Sequence, residues 1–256
     1  MTAIRDFMTQ KPLCVKAGDP VAKARTLIRK HGYRALPVVE DGRLIGIISR
    51  SDILRVTSSR TNLTVGSLMT TRVYAASQSD DLLKTAKTMA ENGVRQLPVV
   101  NSKREVVGIL SALDVLKSFI ATGVAPSKKR VRDVMSKSVV SCGPDDNITK
   151  VWEMMLSTGF SGLPVLEKSK VVGIITRMDL LKHGSARPHI ESGKGRHMPV
   201  KKLMQIHVAT ATPSESIGNV AGVMVERRII RLPVVETGMK LAGIVDIEDV
   251  IRAYVH

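Results

Sequence analysis

The chain has 256 residues, of which 43% are hydrophobic, enough to bury a substantial core and to exclude a disordered protein. Its apolar runs fall far short of the roughly 20 residues that span a bilayer, and MTAIRDFMTQ has no cationic start before an apolar segment, so a cytoplasmic protein without a membrane part is expected. The 39 Lys+Arg against 23 Asp+Glu leave a charge of +16, which favours anionic partners, while 3% aromatics leave few rings for stacking the bases of single-stranded nucleic acid.

The segment I-R-D-F-M ends at Met8, and the apolar run 13–17 that follows predicts a strand. Val21, Ala24, Leu27 and Ile28 then share one face of a predicted helix. Gly32 stands where that helix needs a left-handed residue to end. R-A-L-P-V-V-E at 34–40 and the run Leu44–Ile48 flank Asp41-Gly42, a strong hairpin signal, and a second helix opens at Ser49. The unit reads β-α-β-β-α.

The same order then returns three times. The methionine recurs as Met69, Met135 and Met204, and Pro37 as Pro98, Pro164 and Pro233, both at separations of 61, 66 and 69 residues. The first-helix faces become Leu82, Ala86 and Met89; Ile148, Val151, Met154 and Met155; and Ile217, Val220, Ala221 and Met224. Gly93 and Gly159 repeat the helix-end glycine, and the fourth copy has Arg228 there. The repeats occupy 4–56, 65–119, 131–182 and 200–255, with connectors at 120–130 and 183–199. The second connector holds His183, His189 and His197, whose spacing matches no common metal-ligand pattern. Cys14 and Cys142 form no CxxC pair, which removes a disulfide framework and the usual zinc pattern, and both are expected to pack as small core residues.

Each second helix opens on the pattern glycine, two apolar residues, Ser or Thr, two residues, Asp: Gly46-Ile47-Ile48-Ser49-Arg50-Ser51-Asp52, then Gly108, Ser111 and Asp114, then Gly173, Thr176 and Asp179, and last Gly243, Asp246 and Asp249. Behind an L-P-V segment and a turn, this pattern resembles the CBS domains. The resemblance implies an α/β (α+β) fold of four tandem β-α-β-β-α repeats paired into two Bateman modules, 1–120 and 131–256. The layout is similar to that of the gamma subunit of AMP-activated protein kinase and of stand-alone archaeal four-repeat proteins. In such relatives the clefts between repeats take adenine nucleotides. The motif aspartate binds the ribose hydroxyls, the Ser/Thr hydroxyl supports the phosphate, and the residue after the glycine lines the base, which points to Ile47, Ile109, Ile174 and Ile244.

The chemistry of the residues is compatible with that assignment. A carboxylate accepts from two vicinal hydroxyls, a serine donates to a phosphate oxygen, and a helix start favours anions. Arg34 and Arg95, each three residues before its proline, are candidate phosphate partners, as are Arg50 and Arg177 beside the motif hydroxyls and Arg231 in the fourth repeat. Ser-x-x-Asp is equally a helix cap, and both roles can coexist. In repeats one and two, Ser49, Asp52 and Arg34 and Ser111, Asp114 and Arg95 look complete; repeat three has Ser161 in place of the arginine, and repeat four replaces the hydroxyl by Asp246, the poorest phosphate site of the four.

No catalytic constellation, phosphate-binding loop or metal cluster accompanies the repeats, so no enzyme and no catalytic cofactor are expected. The leading expectation is a non-catalytic regulatory protein that binds AMP, ADP or ATP and transmits the occupancy to an unidentified protein partner, with a homodimer open. The alternatives are a nucleic-acid-binding protein using the basic surface, for which weak, sequence-independent binding is expected, and an interaction scaffold with empty clefts.

Overall fold

A computed structural model describes residues 2–54, 62–182 and 198–256. The histidines 183, 189 and 197 lie outside the described residues. The first repeat runs through β1 (Thr9–Gln10), α1 (Val21–His31), β2 (Ala35–Glu40), β3 (Arg43–Ser49) and α2 (Arg50–Leu54). The second holds β4 (Ala76–Ser77), α3 (Leu82–Glu91), β5 (Gln96–Val100), β6 (Val106–Ser111) and α4 (Ala112–Thr122). The third is α5 (Ile148–Thr158), β7 (Gly162–Glu167), β8 (Lys170–Thr176) and α6 (Arg177–Lys182), and the fourth α7 (Ile217–Arg227), β9 (Arg231–Glu236), β10 (Lys240–Asp246) and α8 (Ile247–Val255).

The predicted helix faces are the buried ones: Val21, Ala24 and Ile28 on α1, Ile148, Val151 and Met155 on α5, and Ile217, Val220, Ala221 and Met224 on α7. Asp41 and Gly42 both take positive φ, 48° and 78°, the backbone that closes a two-residue hairpin with the twist of its strands. The strand expected at 13–17 is reduced to one parallel bridge, Val15 to Val38, and the same single bridge recurs at Cys142–Val165 and Ala211–Val234. A fully laddered strand needs alternating bonds along its length, and here only one residue of each segment reaches the hairpin. Cys142 is buried in the third core as expected, but Cys14 is only half-buried.

In every hairpin the repeat proline faces the isoleucine of the motif: Pro37 to Ile47, Pro98 to Ile109, Pro164 to Ile174 and Pro233 to Ile244. The backbone of Ile47 turns away from Pro37 and exchanges both bonds with Thr70 of the second repeat, 3.0 and 2.9 Å, so the proline removes no ladder bond. This exchange is general. The segment after each marker methionine crosses to the partner repeat, and its sulfur occupies the space where the motif glycine would carry a side chain. A Cβ on Gly46 would stand 2.6 Å from the Met69 Sδ and one on Gly173 2.7 Å from the Met204 Sδ, with Met8 over Gly108 in the same way. The recurring methionine and the motif glycine are therefore two halves of one contact between repeats. At Gly243 the Cβ would meet the Ser136 carbonyl at 2.8 Å as well as the Met135 sulfur at 3.0 Å, and a backbone carbonyl yields less than a thioether. Gly243→Ala is expected to cost about 1–3 kcal/mol by overpacking, read as a lowered urea midpoint, and an unchanged midpoint would mean the two repeats slide apart freely.

Repeats one and three keep separate cores, whereas repeats two and four share one, in which α3 and α4 pack with α7 and α8 and the Phe119 and Tyr254 rings stack at 4.9 Å. Repeats one and three meet through a polar contact: Arg177 on α6 donates from Nη1 to Ser51 Oγ at 2.7 Å. Among the described residues no helix is long and apolar enough to cross a membrane.

Candidate functional site

The four repeats surround a cavity of about 710 Å³ at the centre of the molecule. Ile47 and Ser49 reach its wall from repeat one and Ile174 and Thr176 from repeat three, brought there because each strand end runs directly into a helix start. Among the described residues seven arginines line it, Arg34, Arg50, Arg95, Arg177, Arg227, Arg228 and Arg231, with His207, and the one carboxylate of the lining is Glu248. A second cavity of about 580 Å³ holds Ile109, Ser111 and Asp114 of repeat two and is walled by the crossing segment of repeat one, Thr9, Pro12 and Leu13. Arg34 and Arg228 line both.

The motif residues cap their helices reciprocally, the N–H of Asp52, Asp114 and Asp179 reaching the Ser49, Ser111 and Thr176 hydroxyl oxygens at 3.4, 3.2 and 3.3 Å, and a side-chain bond joins each pair as well. Ser49, Ser111 and Thr176 donate their hydroxyls to Oδ2 of Asp52, Asp114 and Asp179 at 2.7, 2.6 and 2.6 Å, and each backbone N–H bonds the same oxygen at 2.8 Å. Asp249 caps in the same manner, accepting from the Asp246 N–H at 2.9 Å, and burial together with the neighbouring charge of Asp246 raises its pKa despite that bond. Capping thus uses one oxygen. Oδ1 of Asp52 and of Asp114 accepts no hydrogen bond among the described residues, and Asp114 lines the second of these two cavities.

The arginines do not divide by repeat as their offset from proline suggests. Arg95, matched above with Ser111 and Asp114, instead reaches into repeat four, where its Nε donates to Glu248 at 2.7 Å and its Nη2 lies 3.3 Å from both oxygens of Asp246. Burial pulls its pKa down, but Asp246 and Glu248 outweigh this and hold it above the ordinary value. The arginines that enter the repeat-two cavity are Arg34 of repeat one and Arg228 of repeat four. Asp246 is neutralised from both sides, since Arg231 also donates to its Oδ2 from Nη2 at 2.6 Å and from Nε at 3.0 Å while resting 5.3 Å over the Phe160 ring. Arg50 donates to the carbonyls of Gly32 and Tyr33, which bring no counter-charge, and burial pushes it down to about 10.

Arg227, His207, Glu248, Arg228 and Gln205 line this site without having been singled out as binding residues. Arg228 ends α7 in the left-handed region, φ 55°, where two of the other first helices end on glycine, and an arginine accepts that strain while facing both cavities. Gln205, the residue after Met204, lines the central cavity and donates from Nε2 to Asp179.

The CBS domain family model matches residues 4–59, 65–121, 131–186 and 200–256, most of the chain. The chain is 26% identical over 270 residues to the uncharacterized protein MJ1225 of Methanocaldococcus jannaschii, covering 96% of each. The crystal structure of MJ1225, described as a candidate archaeal homolog of g-AMPK, superposes with a TM-score of 0.86 at 24% identity, covering 98% of this chain and 99% of that one. An uncharacterized conserved protein of Pyrococcus horikoshii superposes with a TM-score of 0.72 at 25% identity, covering 99% and 100%.

Proposed function

The chain belongs to the CBS domain family, and we propose that it is a non-catalytic regulatory protein that takes adenine nucleotides, AMP, ADP or ATP, in the clefts between its repeats and transmits their occupancy to a protein partner. The observation that carries the reading is the central cavity, where among the described residues seven arginines and His207 face one carboxylate, beside two Ser/Thr hydroxyls at helix starts and the motif isoleucines Ile47 and Ile174. Clustered, partly desolvated cations gain most from a compact multivalent anion such as a phosphate chain, which bonds several of them at once. The isoleucines offer an apolar wall to the base, and the uncommitted Oδ1 of Asp52 and of Asp114 fits a pair of ribose hydroxyls. Inward-facing arginines favour an enclosed ligand over the long backbone of a nucleic acid. A ligand that bridges repeats of different modules prefers one packing of the modules over another, which is the condition for passing a signal on.

Titration calorimetry with AMP, ADP and ATP tests this on the wild type and on a variant carrying Asp52→Ala and Asp114→Ala. We expect at least a tenfold weaker affinity in the first module, together with about 1 kcal/mol of lost stability for each missing cap. The wild-type affinity should fall only modestly between low and high salt, as binding in an enclosed site does. Unchanged binding by the folded double variant would reduce both aspartates to helix caps. Steeply salt-dependent binding of DNA in place of nucleotide would favour the nucleic-acid alternative.

A further inference from the structure

Each motif isoleucine pairs with the residue that follows the marker methionine of the partner repeat: Thr70 on Ile47, Thr9 on Ile109, Ser136 on Ile244 and Gln205 on Ile174. Three of these residues end in a short hydroxyl. Gln205 ends in an amide long enough to reach the motif aspartate of the cleft it borders. Its Nε2 lies 2.9 Å from Asp179 Oδ1 and 3.1 Å from Oδ2, and Oδ2 already accepts the Thr176 N–H and hydroxyl at 2.8 and 2.6 Å. Both oxygens of Asp179 are therefore taken by protein donors. The residue is 8% exposed, whereas Asp52, Asp114 and Asp249 remain half-buried.

We infer that Gln205 determines which clefts accept a nucleoside, by standing in the ribose position of the third cleft while the first two stay open. The inference rests on the nucleotide reading above, in which the motif aspartate receives two vicinal hydroxyls. An amide NH2 offers the carboxylate the same kind of donor as those hydroxyls and is held next to it by the backbone exchange with Ile174, 2.9 and 2.8 Å. A nucleoside entering the third cleft must displace this bond, and bonds to an ionised acceptor are the stronger class. Threonine at the same place stops two bonds short of the carboxylate. The exchange with Ile174 uses backbone atoms alone, so the pairing of the repeats does not depend on the amide.

Equilibrium dialysis of the full chain against radiolabelled AMP decides the matter, using the wild type, Gln205→Thr and the reciprocal Thr70→Gln. Gln205→Thr should bind one more AMP per chain, or tighten the weakest site about tenfold, equivalent to ~1.4 kcal/mol. Thr70→Gln should lose one AMP from the first cleft. If Gln205→Thr fails to fold, Gln205→Ser and Thr70→Gln carry the same comparison. AMP bound by all proteins with the same number and affinity overturns the inference alone, and so does weaker binding by Gln205→Thr, which would make the amide a ligand contact. No AMP bound by any of them overturns the nucleotide reading and this inference with it.

Discussion

Asp246→Ala is expected to lower the stability of the ligand-free protein by about 3–5 kcal/mol, the range for removing one member of a buried ion pair. The residue is the negative centre of the interface between modules. Arg231 and Asp246 keep only 11% and 13% of their side chains exposed, and Arg95 of the first module closes on the same carboxylate from the other side. Without it, Arg231 and Arg95 lose their shared counter-charge in the wall of a cavity rich in arginine, where Glu248 is the one carboxylate among the described lining residues. Asp246 also caps α8, accepting the Glu248 N–H at 3.3 Å, which adds about 1 kcal/mol to the loss. Urea unfolding at neutral pH and low salt measures the total, and Asp246→Asn separates its parts, since the amide can cap but brings no charge. A midpoint within experimental scatter of the wild type would mean that water already shields the two arginines. Added AMP should raise the melting temperature of Asp246→Ala more than that of the wild type, because its phosphate restores the missing negative charge.

The parts of the molecule legible in the sequence are those with local causes. The helix faces follow from 3.6-residue periodicity, the hairpin from Asp41-Gly42, and the capping boxes from Ser-x-x-Asp, each decided within one repeat. The methionine and the glycine were both visible as markers, yet their contact joins different repeats and depends on packing that no window of sequence contains. The same reason governs the arginines. An arginine side chain is long and leaves its strand for whichever carboxylate the packing brings near, so Arg95 serves Asp246 and Glu248 while its offset from Pro98 associates it with Ser111 and Asp114. Two exceptions to the repeat pattern, Arg228 for glycine and Gln205 for a small hydroxyl residue, both lie in cavity walls. Departures from a strong internal pattern mark places where local fit has given way to another demand.

Arg34→Met is expected to stabilise the empty protein and to weaken AMP binding ten- to a hundredfold, the effect of losing a charged partner of the phosphate. Arg34 lines both cavities, and among the described residues its guanidinium has neither a hydrogen bond nor an ion pair. Burial first, and then the charges of Arg50 and Arg95, push its pKa down to about 10, against a weaker opposite pull from Asp246. A cationic group whose pKa falls on folding costs stability wherever it stays protonated, so the cost is present in full below about pH 10 and disappears only as the pH climbs from there toward the ordinary guanidinium range. At neutral pH the protein therefore carries a charge without a bonded counter-ion among the described residues, in the wall shared by these two cavities. Methionine fills similar volume without that charge and should add about 1 kcal/mol to stability, the lower end of what replacing buried charge with apolar side chains yields. Arg34→Lys should keep the charge but lose the paired N–H geometry, giving intermediate affinity and no gain in stability. Urea unfolding and calorimetry on the same three proteins read both effects, and the pairing of the two is what matters. A methionine variant that is less stable than the wild type and binds AMP equally well would show Arg34 to be a packing residue and would leave the phosphate to the other arginines of the central cavity.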